Sequence, residues 1–486
     1  MVHGCYREFS SWKGPDPKIP AGVAAGHPAT AEVGLRTLEA GGSAADAGVA
    51  AMLAACVAES VLTGVAGGGF ATYHEAATGT TTCLDFFCAV PGLDATRPAA
   101  PMEPIAVTFG SVPQRFEIGA SSVGVPGVPA GCGALHRRWG RLPWRRVVDP
   151  ARSLARSGTL LPHAHAATLA ALRAAMLPGF GAKVYAPTGR LLTGGDLLYH
   201  PGLSTALSIL SDEGPSAFYR GSIAEQTVAT VQSGGGILTR TDLASYRVLS
   251  QPVAAASLAG RTVLARRDLN GFIATLDALA DVADLPRPAR AVALANALRS
   301  DAPQRPDDTT NITVVDPEGN ACVTTLTLGI GSGIWLDGLG VHLNSMLGEG
   351  ELIRPGTSPG DRMASCMCPT VVTAPDGRLL LAIGSAGATR IRMALLHTLI
   401  NTLIDGTDTA TAIHRPRFHV VSDVVHVEPG YPDDELEALS EAGYKLQQWD
   451  HLDHYFGGVS AVGTSGAAGD PRRGGTGRHL WPGQSW

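Results

Sequence analysis

Apolar residues near the start of the chain follow a helical spacing in two consecutive stretches. In "ATAEVGLRTLEAGG", Leu35 and Leu38 mark one apolar face, and the glycine pair at 41–42 ends the stretch. Ser43 is followed three residues later by Asp46, a spacing typical of a capping box at the start of a helix. The pattern therefore predicts two helices, the second running through "AADAGVAAMLAACVA".

Strand-like segments come in pairs that are joined by turn sequences. The first pair lies in "GVAGGGFATYHEAATGTTTCLDFF", with a turn at 78–79. Two later pairs, "DTTNITVVDPEGNACVTTLTL" and "CPTVVTAPDGRLLLAIG", carry turn residues at 317–320 and 375–377. A further pair is predicted around "YRVLSQPVAAASLAGRTVLARR". Hairpins of this kind build mainly antiparallel sheets.

Helical patterns separate and follow these strands. They cover about 124–172, then "LSTALSILSDEGPSAFY", "SIAEQTVATVQSGGGILTRTDLASY", "TLDALADVA" and "TRIRMALLHTLINTLIDG". Residues 1–20 are predicted to form a loose arm, 95–125 to be irregular and 464–486 to be linker-like. Strands clustered between helical segments favour an α+β fold, a four-layer αββα sandwich of two stacked sheets flanked by helices, over a doubly wound parallel sheet.

The composition limits the classes of partner. The 486 residues are 45% hydrophobic and 16% charged, which allows a large buried core. The formal net charge is −6, and no run of Lys and Arg is longer than a pair. Neither nucleic acid nor an anionic membrane surface is therefore expected as a partner.

Targeting segments and metal sites are not expected either. The first 20 residues lack the apolar core of a signal peptide, and Asp46 interrupts the longest apolar stretch. The eight cysteines show no paired metal-ligand spacing, which favours reduced thiols in a cytoplasmic protein. His163 and His165 have no third ligand nearby in the sequence, so neither a metal nor a cofactor is predicted.

Hydroxyl side chains gather at the open end of one predicted hairpin. If residues 317–320 form its turn, the ladder brings Thr327 beside Thr309 or Thr310, depending on the register. Cross-strand threonine pairs are also ordinary sheet chemistry. The pattern alone thus leaves two interpretations open, a nucleophile or a set of β-forming residues.

Two small-residue loops border the last predicted hairpin. "LLLAIGSAGATRI" is a strand, a loop and a helix start, a combination whose backbone N–H groups bind a phosphate or an oxyanion. It lacks the lysine and the glycine spacing of a phosphate loop, so a phosphate is disfavoured. "PGTSPGDRMASCMCPTVV" places Ser365 and Cys366 before a strand, either as contacts for a substrate carboxylate or carbonyl or as part of a solvated loop.

Taken together, these segments resemble the γ-glutamyltransferase family of N-terminal-nucleophile hydrolases. The resemblance runs from about Ile19 to Gly475 and rests on motifs in the same order along the chain: "AEVGLRTLEAGGSAADAGVAA", "GVAGGGF", "PGVPAG", "EGPSAFYRGSIAEQTVATVQSGGGILTRTDLASY", "DTTNITVVDPEGNA", "CPTVV", "GSAGATRI" and "GDPRRGG". It implies an enzyme that cleaves its own precursor and then forms an acyl-enzyme on its new N-terminal residue.

The resemblance also implies catalytic roles. The self-cleaved bond would be Asp308–Thr309. Thr309 would be the nucleophile, its new α-amino group the general base, and Thr327 the residue that orients it. The backbone N–H groups of Gly387 and Ala388 would form the oxyanion hole.

The implied substrate contacts depart from the family at several positions. Cys366 replaces the second serine of a pair that contacts the α-carboxylate, and Gly329 replaces an asparagine expected two residues after the second threonine. Asn344, Glu349, Ser365 and Cys366 match substrate-contacting positions. Members that bind γ-glutamyl groups carry an arginine in "DFRE", where this chain has "DFFC" and therefore Phe87. Because phenylalanine cannot clamp a carboxylate, γ-glutamyl specificity is not expected to be retained.

The expected function is acyl transfer from an amide or γ-glutamyl-type compound to water or an amine. The expected assembly is an αβ heterodimer of residues 1–308 and 309–486 within one αββα domain, with (αβ)2 as a further option. Two alternatives stay open. One is a biosynthetic enzyme that cleaves a C–C bond next to a carbonyl, as relatives in lincosamide- and pyrrolobenzodiazepine-type pathways do. The other is an inactive homologue that serves as a binding subunit.

Overall fold

Two β-sheets stacked face to face form the centre of the protein. The computed structural model describes residues 18–109, 112–267, 271–299 and 309–480. Sheet A contains, in spatial order, β22 (Thr476–Leu480), β1 (Ala21–Ala25), β11 (Thr310–Val315), β12 (Ala321–Thr327), β2 (Gly68–Glu75), β3 (Thr80–Phe86) and β8 (Leu249–Gln251). Sheet B contains β21 (Gly466–Gly469), β20 (Gly458–Gly463), β16 (Leu379–Ala386), β15 (Thr370–Thr373), β10 (Arg261–Arg266) and β9 (Val253–Leu258). Neighbouring strands are antiparallel in both sheets.

Helices cover the outer face of each sheet and complete the predicted αββα sandwich. On the sheet A side, α1 (Pro28–Glu39), α2 (Ala44–Ala58) and α3 (Val128–Trp139) contact the strands. Three further helices, α4 (Trp144–Ser157), α8 (Leu203–Glu213) and α9 (Ser222–Ser233), complete this helical layer around the same core. On the sheet B side, α11 (Phe272–Ala278) contacts β9, and α13 (Arg390–Leu399) contacts β16 and β20. Helices α12 (Arg287–Leu298) and α15 (Asp433–Glu441) pack against each other around the same core.

Shorter elements surround this sandwich. The helices are α5 (His163–Ala171), α6 (Arg173–Met176), α7 (Gly181–Tyr185), α10 (Arg240–Ser245) and α14 (Thr409–His414), with a π-helical turn at Ile400–Ile404. The strands are β4 (Glu103–Phe109) with β5 (Val112–Ile118), β6 (Thr159–Leu160) with β7 (Leu197–Leu198), β13 (Trp335–Leu336) with β14 (Val341–His342), and β17 (Phe418–Val421) with β18 (Val424–Val427) and β19 (Lys445–Gln448). In the described ranges, no helix has the length and apolar character needed to cross a bilayer.

Helix α2 is the central helix of the layer over sheet A. The predicted capping box is present, since Ser43 Oγ accepts from the N–H of Asp46 and the Asp46 carboxylate accepts from the N–H of Ser43. Every residue of α2 is buried. Its alanines leave room for close approach to α1 and to β11 and β12. The helix ends at Ala58, which places the following residue, Glu59, in the interior.

Strand β11 alternates between the two interfaces. Ile312 and Val314 pack into the core beneath the helices, whereas Val315 packs between the sheets. Polar contacts also join the sheets, because Thr313 Oγ1 donates to the Ser460 carbonyl at 2.8 Å and Ser460 Oγ donates to the Asn311 carbonyl at 3.1 Å. The odd-numbered positions of β11 therefore face sheet B, and the even-numbered positions face α1 and α2.

Two predictions of irregular structure are wrong. Within 95–125 the chain forms the β4–β5 hairpin, whose prolines, Pro104 and Pro113, are tolerated because a two-stranded ribbon has only edge strands. Within 464–486, β21 and β22 belong to different sheets and lie against each other. A Cβ on Gly477 would lie 2.3 Å from the Ala467 carbonyl, so the glycines that suggested a linker permit a close backbone approach.

Candidate active site

Strand register places two of the expected catalytic threonines side by side. The β11–β12 ladder, continued by one residue beyond Thr310, puts Thr309 opposite Thr327. Thr327 is opposite Gly68 of β2, and the same row continues to Phe87 just after β3. Opposite residues in antiparallel pairs share a face, so Thr309, Thr327 and Phe87 form one row that faces sheet B.

Thr309 is buried beside a guanidinium group. Its exposed fraction is 1%, and its backbone carbonyl accepts a hydrogen bond from Arg473 Nη1 at 3.2 Å. Its hydroxyl has no hydrogen-bond partner among the residues that the structure describes. A buried hydroxyl without a partner is costly, and such groups are typically kept for a reactant.

Thr310 faces the opposite side of sheet A and contacts a buried carboxylate. Its hydroxyl donates to Glu59 Oε2, while Thr30 Oγ1 donates to Glu59 Oε1 at 2.6 Å. Burial raises the pKa of Glu59 to about 7, against the opposing effect of the two hydroxyl donors and the charge of Arg473. Glu59 is therefore titratable near neutral pH next to the expected nucleophile.

Thr327 lies at the start of a tight turn that leads towards Glu349. Its hydroxyl accepts from the N–H of Gly329 at 2.9 Å. Gly329 has φ of +65°, and a Cβ there would lie 2.5 Å from Ser345 Oγ and 2.7 Å from Glu349 Oε1. Glu349 is 1% exposed. The structure thus brings Glu349 to the end of β12 that carries Thr327.

Asn344 ties this turn to the neighbouring loop. Its Nδ2 donates to the carbonyls of Ala66 and Gly124, and its Oδ1 accepts from the N–H groups of Gly124 and Met346. The amide is thus engaged with backbone on both sides. In this arrangement Asn344 fixes the segment that leads to Glu349.

Phe87 lies in an apolar cluster beside the Ser365 loop. It is 1% exposed and stacks on Phe70, with ring centroids 5.4 Å apart. The Ser365 loop approaches because the N–H of Met363 donates to the Cys88 carbonyl at 3.1 Å. Ser365 is buried, and its hydroxyl accepts from the N–H of Met367.

The loop after β16 has the backbone strain expected of a functional loop. Gly387 has φ of +118°, and Ala388 has φ of +48°, a left-handed conformation that is uncommon for alanine. Helix α13 begins two residues later, at Arg390. A Cβ on Gly387 would lie 3.3 Å from Arg473 Nη2, so one guanidinium lies against both this loop and the Thr309 carbonyl.

Two residues of this site were not singled out by the sequence. Glu59 is the first carboxylate after the apolar α2 sequence, and Arg473 lies within the quoted "GDPRRGG" motif. Their contacts with β11 span 251 and 164 residues of sequence, so no local pattern identifies them. Asp308, the other side of the expected cleavage site, and the segment 300–307 lie outside the described residues.

The histidines of α5 do not assemble a metal site. His165 is buried, its Nε2 contacts the Arg473 carbonyl at 3.0 Å, and burial lowers its pKa to about 3. Across the described ranges, no group of three His, Cys, Asp or Glu side chains is placed to hold a metal ion. Cys366 is half-buried, and the other described cysteines are buried and form no disulfide with one another.

Comparisons with known proteins agree with one family along nearly the whole chain. The family model described as Gamma-glutamyltranspeptidase matches residues 30–285 and 278–479. Glutathione hydrolase proenzyme of Escherichia coli (strain K12) is 28% identical over 509 residues, with 87% of this chain and 86% of the relative covered. Acylase ACY 1 proenzyme of Pseudomonas sp. (strain SE83) is 27% identical over 519 residues, with 94% and 92% covered.

A solved structure supports the fold. The cephalosporin acylase from Bacillus halodurans has a TM-score of 0.79 at 21% identity, with both chains covered completely. At this identity the likeness concerns the arrangement of sheets and helices.

Proposed function

Since the chain belongs to the gamma-glutamyltranspeptidase family of enzymes, we propose that it is a self-cleaving hydrolase or acyltransferase whose nucleophile is Thr309. The observation that carries this proposal is the buried Thr309 hydroxyl, which faces sheet B in one row with Thr327 and has no hydrogen-bond partner in the described ranges. Such a hydroxyl is available to a reacting carbonyl rather than committed to the sheet.

Self-cleavage would break the peptide bond between Asp308 and Thr309. The Thr309 hydroxyl attacks the preceding carbonyl carbon, the acyl group moves from nitrogen to oxygen, and water then hydrolyses the ester. The products are residues 1–308 and 309–486. Because each sheet contains strands from both sides of residue 309, the two pieces would stay together as an αβ heterodimer.

In turnover, the α-amino group of Thr309 takes the proton of its own hydroxyl as the oxygen attacks the substrate carbonyl. The tetrahedral oxyanion is placed at the N–H groups of Gly387 and Ala388. The C–N bond breaks as the amine returns this proton to the leaving group. Water or an acceptor amine then attacks the Thr309 ester and regenerates the enzyme. The Thr327 hydroxyl holds the nucleophile in place.

The substrate is proposed to be an amide with an apolar acyl group. Phe87, which stacks on Phe70 in a buried apolar cluster, stands where the resemblance expects a carboxylate-binding arginine. Ser365, Cys366 and Glu349 would supply polar contacts beside it, and Asn344 would hold the turn before Glu349. Relatives include both a glutathione hydrolase and an acylase, and Phe87 favours acylase-type donors.

Intact-mass spectrometry of the purified protein tests the proposal. We expect two chains for the wild type and a single chain of 486 residues for Thr309→Ala. Thr324→Val is the matched control, because Thr324 lies on β12 but faces the helical layer; it should cleave normally. Two chains from Thr309→Ala would refute the nucleophile, and one uncleaved, unreactive wild-type chain would favour an inactive homologue.

A further inference from the structure

We propose that Glu59 and Arg473 form a clamp on the Thr309–Thr310 segment that keeps the nucleophile in place once self-cleavage has made it a chain terminus. Both are positioning residues, since they contact Thr309 and Thr310 rather than the substrate carbonyl. The inference rests on the proposed role of Thr309 as the N-terminal nucleophile.

Arg473 holds the segment from its carbonyl side. Its Nη1 donates to the Thr309 carbonyl at 3.2 Å, and a Cβ on Gly387 would lie 3.3 Å from its Nη2. Arg473 is 6% exposed, and its stem runs so close to Gly458 that a Cβ there would lie 2.3 Å from Arg473 Cδ. The guanidinium therefore fixes the distance between Thr309 and the Gly387 loop.

Glu59 holds the segment from the opposite face of sheet A. Its two carboxylate oxygens accept from Thr310 Oγ1 and Thr30 Oγ1, so it links the start of β11 to α1 and to the end of α2. Gly26 leaves space for this contact, since a Cβ there would lie 2.5 Å from Glu59 Oε2 and 3.0 Å from Thr310 Oγ1. The negative carboxylate and the positive guanidinium also attract each other across the backbone.

A clamp is needed because a new chain end normally frays. Before cleavage, covalent bonds on both sides restrain Thr309. Afterwards it keeps one covalent neighbour, while its hydroxyl and its α-amino group must stay in reacting geometry. A displacement of about 1 Å in a reacting group can lower a rate on the order of 10²-fold. Two opposite charges that grip the first two residues supply this restraint without occupying the hydroxyl.

The test measures acylation of the mature enzyme by p-nitrophenyl acetate, an activated ester, with the adduct on the chain that begins at Thr309 quantified by intact mass. We expect Arg473→Met and Glu59→Gln to lower the acylation rate per cleaved molecule about 10- to 100-fold. Arg473→Lys should recover part of the rate, because it keeps the charge and one donor. Thr310→Val should lower the rate, whereas Thr310→Ser, which keeps the hydroxyl, should stay near the wild type.

Arg290→Met controls for loss of a buried arginine. Arg290 is 13% exposed and pairs with Asp405 at 2.6 Å in the helical layer over sheet B. This variant should lower the melting temperature and leave the acylation rate per cleaved molecule unchanged. Gly26→Ala keeps both charges but crowds the Glu59–Thr310 contact, and it should lower the acylation rate. It replaces Arg473→Met or Glu59→Gln as the test if either of these variants does not fold.

The proposed clamp would be wrong if Thr310→Val and Gly26→Ala both acylate at the wild-type rate, or if Arg473→Met or Glu59→Gln does. Such a result would leave the proposed function intact. A wild type that neither cleaves nor acylates, or a Thr309→Ala variant that acylates equally well, would overturn the proposed function and the clamp with it.

Discussion

Thr309 and Thr310 are adjacent in the sequence, but their side chains point to opposite faces of sheet A. Thr309 faces the space between the sheets with its hydroxyl uncommitted among the described residues, whereas Thr310 donates its hydroxyl to buried Glu59. Strand alternation produces this division with no special backbone geometry. The hydroxyl of Thr309 is thus left without a partner in the described part of the chain, and Thr310 anchors the strand.

Replacing Thr327 tests the row that faces sheet B. Thr327→Val keeps the shape and the β-propensity but removes the hydroxyl that accepts from the Gly329 N–H. We expect slow or absent self-cleavage and, in any cleaved protein, a rate loss on the order of 10²-fold. Gel analysis and p-nitrophenyl acetate kinetics measure both. Cleavage and acylation at wild-type rates would make Thr327 a sheet residue only.

The presence of Phe87 in place of an arginine leads to a prediction about substrate preference. A γ-glutamyl donor carries an α-carboxylate, and leaving that charged group unpaired against Phe87 would cost several kcal/mol. We expect kcat/KM on glutathione below about 10⁴ M⁻¹s⁻¹ and better turnover of an aromatic acyl anilide. Phe87→Arg should raise turnover of a γ-glutamyl anilide. Glutathione hydrolysis by the wild type above that value would contradict the prediction.

Glu59 should make stability depend on pH. Its pKa rises from 4.5 to about 7 on folding, so between these values the folded protein binds more protons than the unfolded chain. The free energy of unfolding contributed by this site therefore falls as the pH rises from 4.5 to 7. Hydrogen bonds from Thr30 and Thr310 and the charge of Arg473 lower the Glu59 pKa and oppose the larger effect of burial.

Urea unfolding at pH 5, 6 and 7, in a Thr309→Ala background that keeps one chain, measures this dependence. The Glu59→Gln variant should show a shallower decline than its parent. Equal slopes in the two proteins would contradict a raised Glu59 pKa.

Among the secondary-structure elements, the sequence predicted those parts of the site whose residues belong to one hairpin. The hairpin turn at 317–320 sets the register that brings Thr309 to Thr327. The pairing of these two threonines could therefore be predicted from the sequence. The β21–β22 pair was missed because its glycines serve an approach between two sheets, which only the assembled fold creates. Glu59 and Arg473 were missed for the same reason, since their contacts with β11 join distant segments.

The β21–β22 approach gives a stability prediction. Gly477→Ala places a methyl 2.3 Å from the Ala467 backbone and should lower the free energy of unfolding by about 1–3 kcal/mol. Gly350→Ala is the control, because a Cβ there has nothing described within 4 Å, and it should be nearly neutral. Thermal denaturation measures the melting temperatures of the two variants. Equal melting temperatures would show that the strands separate easily.

For the whole molecule, the same sandwich must hold together before and after cleavage. In sheet A, β1 lies between β22 and β11, and in sheet B, β10 lies beside β15, so the two proposed subunits share both sheets. A cut between residues 308 and 309 would create two new chain ends without removing a strand from either sheet. The fold thus suits a precursor that matures in place.

Peptide mapping of the p-nitrophenyl acetate adduct shows whether Thr309 becomes the N-terminal nucleophile. We expect a small chain that begins "TTNITVV" and carries the acetyl group on its first residue. A small chain that begins elsewhere, or an acetyl group found on Ser365 or Cys366 with Thr309 unmodified, would contradict it.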